Sequence, residues 1–182
     1  FASSLNYAVP SLSNHYTLVT KIYFPREIIP LAGVGVALVD FACAAAVYLL
    51  LLWGFGHPLT AQALWFVPLF ALLFVFTCGV ALVLAALNVY YRDVRLATGF
   101  LVQLWFFATP VFYSIDRLPL KLKLLLFLNP LTFIVENMRR CLLEGRGVVA
   151  WQFLTVGALV LLAFGLGYRL FLATERRFAD VI

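Results

Sequence analysis

The residues that could carry out chemistry in this 182-residue chain are few and stand apart. His15 and His57 are far from each other in the sequence and build no metal-ligand spacing. Cys43, Cys78 and Cys141 show no paired spacing, and a free cysteine within an apolar run behaves as a small hydrophobic residue. A G-x-x-x-x-G-K-[ST] phosphate-binding loop does not occur anywhere in the chain, so ATP is not expected to be hydrolysed here. We therefore predict no metal site and no catalytic centre in this chain.

Asp40 is the exception, because it interrupts a long apolar run near its middle. An unpaired carboxylate in hydrocarbon is costly, so we expect Asp40 to face a bundle interior or a water-filled path. Two interpretations remain open. Asp40 lines a translocation path, or it is hydrogen-bonded between helices.

A second polar and aromatic group lies further along the chain at helical spacing, where Trp105, Thr109 and Phe112 share one helical face. Aromatic rings stack on the C–H faces of sugars, so this stripe could line a path for a glycan. Packing is the commoner role for such residues, and both interpretations stay open. Pro110 is expected to kink this helix.

The composition indicates whether water or lipid surrounds these residues. The chain is 65% hydrophobic and 12% charged, with mean hydropathy +1.04, whereas ordinary globular chains are about 45–50% apolar and about 25% charged. Most of the chain must lie in lipid. The net charge of +5 is scattered between apolar runs, which excludes a disordered chain and a nucleic-acid-binding domain.

Apolar runs long enough to cross about 30 Å of hydrocarbon need about 20 residues. The sequence predicts four full transmembrane helices, over Leu31–Trp53, Ala63–Leu87, about Leu96–Ile115, and Val148–Ala173. These runs do not alternate as the strands of a membrane barrel would. The predicted fold class is an all-α, polytopic membrane protein.

Basic residues predict the orientation, because they stay on the cytoplasmic side of short loops. They flank the predicted inner ends of the spans: Lys21, Arg26, Arg92, Arg95, Arg176 and Arg177. The loop over residues 54–62 has no Lys or Arg. We expect that loop to lie outside and the carboxy terminus to be cytoplasmic.

The segment over residues 116–150 departs from this rule, since it must lie outside and yet is basic. Asn129 is a good N-cap, Pro130 fits the first helical turn, and Gly145 fits just after a helix end. The predicted helix from Pro130 to Glu144 is about 22 Å long at 1.5 Å per residue, too short to span. Its apolar stripe predicts an interfacial or re-entrant helix, preceded by a short one around residues 120–128.

On the opposite face of this helix Glu136, Arg140 and Glu144 follow one another at i, i+4 spacing, so their charges can pair. A fifth full span over Leu122–Met138 is the alternative, which Pro130 and Glu136 disfavour. The first twenty residues are too polar for a lipid-facing span. We interpret them as the inner end of a truncated helix followed by a cytoplasmic helix.

Four strings between the spans carry a resemblance to a known family: Lys21–Pro30, Asn88–Val94, Asn129-Pro130 with Arg139 following, and Glu175–Ile182. The chain resembles the permease subunit of ABC-2 type exporters, in particular those that export lipid-linked polysaccharides such as O-antigen and teichoic acid. The resemblance covers essentially the whole chain as a single domain, residues 1–182. Family members have six membrane helices, so it implies that the first span and most of the second are missing.

The resemblance also implies partners and sites. Two permease copies would assemble with two ATP-binding subunits, which hold ATP and Mg, in the bacterial plasma (inner) membrane. The surface that contacts the ATP-binding subunit would include Lys21, Tyr23, Phe24, Pro25, Arg26, Tyr91, Arg92 and Asp93. Tyr23 to Pro25 would form a rigid aromatic knob and Arg92-Asp93 a local ion pair, although membrane-interface anchoring explains the same residue types.

An outer gate is the other site that the resemblance implies, and its residues would be Asn129, Pro130, Glu136, Arg139 and Arg140. The substrate would be a lipid-linked glycan, moved outward among membrane lipids, with no nucleic-acid partner. Two rival functions are an integral-membrane enzyme of glycolipid assembly and an ion-coupled carrier. The eight acids stand apart, which disfavours the enzyme, and Asp40 alone is thin support for the carrier. We therefore expect a transport subunit rather than an enzyme.

Overall fold

The computed structural model describes residues 1–15, 17–18, 24–56, 60–111, 119, 126, 129–175 and 178. Every regular element within these ranges is helical, which confirms the predicted all-α class. The α-helices are α1 (Ala2–Ala8), α2 (Ser11–Asn14), α3 (Ile28–Gly54), α4 (Phe66–Tyr90), α5 (Val94–Ala108), α6 (Pro130–Arg139) and α7 (Ala150–Glu175). A 3₁₀ turn, Ala61–Trp65, leads into α4, and a π turn, Arg140–Glu144, follows α6.

Three helices of the described part are long and apolar enough to cross a membrane: α3, the 3₁₀ turn with α4, and α7. They confirm three of the four predicted spans. The fourth, α5, has 15 residues, which is about 22 Å at 1.5 Å per residue. It ends at Ala108 rather than near residue 115.

Pro110 explains this early end of α5. A residue before proline is pushed out of the helical region by the proline ring, and Thr109 is extended, with φ −105° and ψ 130°. Pro110 therefore ends α5. The kink that we predicted at Pro110 is wrong. Residues 112–118 lie outside the described part of the chain.

The centre of the bundle is the parallel pair formed by α4 and α7, which make the most extensive contact between two of the described helices. Glycine makes the close crossing possible. A Cβ added at Gly167 would lie 2.9 Å from the carbonyl oxygen of Gly79, and one added at Gly79 would lie 3.0 Å from the Cα of Phe164. Small residues let helix backbones approach in this way in membranes. Gly167 is thus a helix-packing residue.

The first residues of the described chain also pack inside the bundle, on α3 and α4. Leu5 and Ala8 of α1 are fully buried. On α3, a Cβ added at Gly33 would lie 2.9 Å from the backbone nitrogen of Ala8. The expected arrangement of two successive helices is present as α1 and α2, and α1 is part of the core.

Two sets of contacts define the ends of the bundle. At one end the Tyr90 hydroxyl donates to the carbonyl oxygen of Thr174 (3.0 Å), and the Arg26 guanidinium donates to the carbonyl oxygen of Glu175. At the other end the rings of Trp65 and Phe153 meet edge to face with centroids 5.6 Å apart. The Tyr90 and Trp65 contacts join matching ends of α4 and α7, so these two helices run in the same direction through the bundle. We name the first end the inner end and the second the outer end, after the orientation that the basic residues predict.

Candidate functional site

At the outer end, α6 begins and ends as its sequence predicts. The Asn129 side chain accepts a hydrogen bond from the backbone N–H of Leu131 (3.1 Å), and Pro130 occupies the first turn. Gly145 follows the last turn in the left-handed region, with φ 61°. The final turn before Gly145 is a π turn rather than α-helix. π turns are rare in proteins, and those that do occur are often found at functional sites.

Glu136 is the charged centre of α6, and its environment differs from the prediction. The helical pattern placed it on the polar face, but its side chain is only 4% exposed. It accepts hydrogen bonds from Arg139 Nη2 (2.6 Å) and Arg140 Nε (3.0 Å), both of which are partly exposed. A buried carboxylate needs paired, hydrogen-bonded partners, and the two guanidinium groups supply them while their heads reach solvent.

The pair between Glu136 and Arg140 is the predicted one, whereas the role of Arg139 was not foreseen. Glu144 pairs with Arg146 at 3.5 Å. We call Glu136, Arg139 and Arg140 the Glu136 cluster. It joins the last turn of α6 to the π turn by charge-assisted hydrogen bonds, which are stronger than neutral ones.

A second polar group, which we call the Asn129 junction, consists of Trp105, Thr109 and Asn129. Trp105 Nε1 donates to Asn129 Oδ1 (3.0 Å), and Asn129 Nδ2 donates to Thr109 Oγ1 (3.2 Å). Thr109 Oγ1 in turn donates to the carbonyl oxygen of Trp105 (2.9 Å). The single Asn129 amide thus caps α6 and ties it to the end of α5. The sequence assigned these residues to two different sites, and the structure brings them together.

The ring of Trp105 packs inward as well. It meets Phe1 edge to face at 5.1 Å and Phe76 at 6.0 Å between centroids. These contacts fit the packing interpretation of the aromatic stripe, since neither Trp105 nor the buried Thr109 is an open surface residue of the single chain. Phe112, the third member of the stripe, lies outside the described residues.

Asp40 lies on the exposed side of α3, at the middle of the helix. Of our two expected positions, a bundle interior is therefore not met within the single chain, and a water-filled path stays a prediction; the described residues offer Asp40 no hydrogen bond or ion pair. Its neighbours Val36 and Val39 are also exposed. A midspan carboxylate on such a face still needs water or protein around it.

At the inner end, all the predicted coupling residues that the structure describes except Arg26 are exposed. Phe24, Pro25, Tyr91, Arg92 and Asp93 are exposed. The half-buried Arg26 ties the segment before α3 to the end of α7 through its guanidinium group. Lys21 and Tyr23 lie outside the described residues.

The predicted ion pair between Arg92 and Asp93 is wrong, since both side chains are exposed and neither is paired in the described part of the chain. Neighbouring residues at a helix start point in different directions, so adjacency in sequence does not bring their charges together.

Metal and thiol groups offer no further site among the residues that the structure describes. No three side chains of His, Cys, Asp or Glu there lie together in a way that could hold a metal ion. Cys141, in the π turn, is buried, and burial raises the pKa of its thiol. A raised pKa keeps the thiol protonated at neutral pH, and a protonated thiol is a poor nucleophile.

Comparisons with known proteins add the family context. The family model described as "ABC-2 type transporter" matches residues 14–143, which include α3 to α6. Two proteins of Klebsiella pneumoniae named O-antigen export system permease protein RfbA are each 27% identical over 186 residues, covering 100% of this chain and 70% of the relative. A Myxococcus xanthus protein of the same name is 27% identical over 184 residues and is covered to 71% of its length.

Proposed function

This chain belongs to the ABC-2 type transporter family, and from that premise we propose that it is the permease subunit of a polysaccharide exporter. The observation that carries the proposal is the family match over residues 14–143. Relatives named as O-antigen export permeases, aligned over 100% of this chain, support the polysaccharide substrate. The three long apolar helices fit a subunit that lies within the membrane.

The energy for export comes, in this proposal, from a separate ATP-binding subunit that holds ATP and Mg. The chain has no phosphate-binding loop of its own, which supports this division of labour. The exposed group at the inner end, which includes Phe24, Tyr91 and Arg92, is the proposed contact surface. We name Phe24, Pro25, Tyr91, Arg92 and Asp93 the coupling surface, which Lys21, Tyr23 and Arg26 complete in the proposal.

The substrate is proposed to be a lipid-linked glycan, exported across the bacterial inner membrane by two copies of this chain. The basic inner ends support a cytoplasmic carboxy terminus. A second copy, or a water-filled path between two copies, would also surround Asp40, whose exposed midspan carboxylate cannot face lipid at low cost. Asp40, Trp105, Thr109 and Phe112 are the proposed path residues.

The outer gate of this proposal is α6 with the following π turn. The Asn129 junction fastens the start of the gate to α5, and the Glu136 cluster fastens its end to the π turn. A movement of α5 would therefore be transmitted to α6 through Asn129. Asn129, Pro130, Glu136, Arg139 and Arg140 are its proposed residues.

The coupling surface can be tested with the matched aromatic residues Tyr91 and Trp151, which are 66% and 65% exposed at the inner and outer ends respectively. We expect Tyr91→Ala combined with Arg92→Ala to weaken co-purification with the ATP-binding subunit by more than tenfold, because interface anchors of these types each contribute about 2 kcal/mol or more. Surface polysaccharide, measured by antibody labelling of intact cells that depend on this permease, should fall in parallel.

The control is Trp151→Ala, which removes an equally exposed ring from the outer end and should leave co-purification unchanged. Unchanged recovery of the ATP-binding subunit with the Tyr91 and Arg92 variant would reject the coupling surface. Normal surface polysaccharide in cells that lack the gene would reject the exporter itself.

A further inference from the structure

The inner end of the bundle also contains a polar cavity. It lies between α1 and α5, has a volume of about 230 Å³, and is lined by Leu5, Asn6, Val9, Pro10, Arg95 and Thr98. One water molecule needs about 10–15 Å³ of such space, so the cavity holds several waters. The cavity is therefore large enough for a small anionic group together with some of its hydration.

The cavity presents hydrogen-bond donors that nothing in the described chain uses. Arg95 and Asn6 are exposed, and the described residues give neither of them a hydrogen bond or an ion pair. The Thr98 hydroxyl is buried and donates to the carbonyl oxygen of Val94 (2.7 Å), so its oxygen can only accept there. The donors available to a ligand are thus the guanidinium group of Arg95 and the amide of Asn6.

Two of the residues that line the cavity are apolar and belong to the packed core. Leu5 is 0% and Val9 is 1% exposed, and both pack in the cluster that joins α1 to α3 and α4. Arg95 lines the same cavity, so the planar fork of donors on its guanidinium group is available to a ligand that enters there. Such a fork matches the oxygens of a phosphate group.

The position of Arg95 also fits an anionic ligand of the membrane. It is the second residue of α5, close to the turn that contains Arg92, and both basic residues lie at the inner end. In the orientation that the basic residues predict, the lipid phosphates of the cytoplasmic leaflet lie at this end, and a basic side chain near an anionic surface gains about 1 kcal/mol.

We propose that the cavity between α1 and α5 binds the phosphate group of a membrane lipid through Arg95 and Asn6. The lipid is a phosphate ester with hydrocarbon chains. Two kinds of lipid carry such a phosphate, the carrier of the exported glycan and a bulk anionic lipid. The assignment to the glycan carrier rests on the proposed function. Arg95 is then the residue that recognises the charged end of the carrier at the inner surface.

The test uses the full-length permease purified with its ATP-binding subunit and measures lipid binding by native mass spectrometry. The probes are polyprenyl monophosphate, phosphatidylglycerol, inorganic phosphate, and diacylglycerol, which lacks the phosphate. We expect the complex to retain a phosphate-bearing lipid and not diacylglycerol. Arg95→Gln should weaken that binding about tenfold or more, since a hydrogen bond to a charged group is lost, and Asn6→Leu should weaken it by a smaller factor.

Arg169→Gln is the matched control, because Arg169 is also exposed towards the inner end, on α7, and does not line the cavity. It should leave binding unchanged. Equal binding by Arg95→Gln and the unaltered protein would overturn the proposal, as would equal retention of diacylglycerol.

The probes also distinguish the source of the phosphate group. Preference for polyprenyl monophosphate identifies a glycan carrier, equal binding of phosphatidylglycerol identifies any anionic lipid, and saturation by inorganic phosphate alone overturns a lipid site. Surface export is measured separately on the same cells. If export did not depend on the gene while lipid binding still depended on Arg95, the proposed function would be rejected and the lipid site would be retained.

Discussion

The helices α3 and α4 are both apolar and both long enough to span the membrane, yet they occupy different environments. Of the most apolar 18 residues, 50% are buried in the span that contains α4 and 11% in α3. The sequence distinguishes them poorly, since neither has a strongly polar face. What separates them is the position of small residues relative to neighbouring helices.

On α4 the small residues Gly79, Ala81 and Ala85 face other helices and are buried. On α3 the contact with α1 at Gly33 is close, but Gly35, two residues later, has open space where a side chain would lie. In a membrane, lipid tails are as apolar as leucine, so apolarity does not decide which face is covered. Close packing by small residues does.

The largest effect is expected where α4 and α7 cross. Gly167→Leu would place its Cβ 2.9 Å from the carbonyl oxygen of Gly79, a backbone atom that cannot move aside. We expect a loss of about 3 kcal/mol or more in stability, at or beyond the usual range for overpacking. The measurement is the unfolding midpoint of the purified complex in increasing sodium dodecyl sulfate.

Gly165→Leu is the control, because nothing lies within 4 Å of a Cβ at Gly165 on the same helix. It should unfold at nearly the midpoint of the unaltered protein. Similar midpoints for the two variants would show that α4 and α7 are not held at this distance, and the contrast with α3 would lose its basis.

A smaller effect should separate two glycines of α3 itself. A Cβ at Gly33 would lie 2.9 Å from the Ala8 nitrogen, so Gly33→Ala should destabilise by about 1–3 kcal/mol through overpacking. Gly35→Ala meets nothing and should be neutral or stabilising by up to about 1 kcal/mol, because alanine favours the helix. The same unfolding assay measures both.

If the two substitutions changed the stability in opposite directions, other helices would cover α3 along one edge only. The rest of α3 would then contact no other helix of this chain. If Gly35→Ala destabilised as strongly as Gly33→Ala, α3 would have a second covered face, for example against another copy. That result would sharpen the question of what surrounds Asp40.

Local sequence signals predicted local structure well. Asn129, Pro130 and Gly145 bounded the outer helix correctly, because capping and helix ends depend on neighbouring residues. The early end of α5 was also predictable, since Pro110 disfavours helix at Thr109. We assigned Pro110 a kink because the apolar run continues beyond it, and apolarity measures membrane preference rather than helix continuity.

Contacts between distant segments could not be predicted from one sequence. The Asn129 junction joins residues from α5 and from the start of α6, and Gly33 meets α1. Helical periodicity assigned Glu136 to the exposed face because it counts a carboxylate as polar. It could not include the two arginines that neutralise the charge and so permit burial.

The smallest effect concerns the inner end of α4, where Tyr90 Oη donates to the carbonyl oxygen of Thr174 on α7 (3.0 Å). Tyr90→Phe removes this donor and keeps the ring, which packs on Phe178 with centroids 6.0 Å apart. We expect a loss of about 0.5–1.5 kcal/mol, the usual net contribution of one hydrogen bond. The detergent unfolding midpoint should shift slightly and reproducibly.

Tyr168→Phe makes the same chemical change on α7, at a ring that stacks on Phe164 with centroids 6.1 Å apart and whose hydroxyl has no hydrogen bond to the described residues. It should leave the midpoint unchanged. Because α4 is held to α7 mainly by the glycine crossing, the Tyr90→Phe loss should be several times smaller than that of Gly167→Leu. An equal loss would mean that the polar contact at the inner end, rather than backbone proximity at midspan, holds α4 in the bundle and distinguishes it from α3.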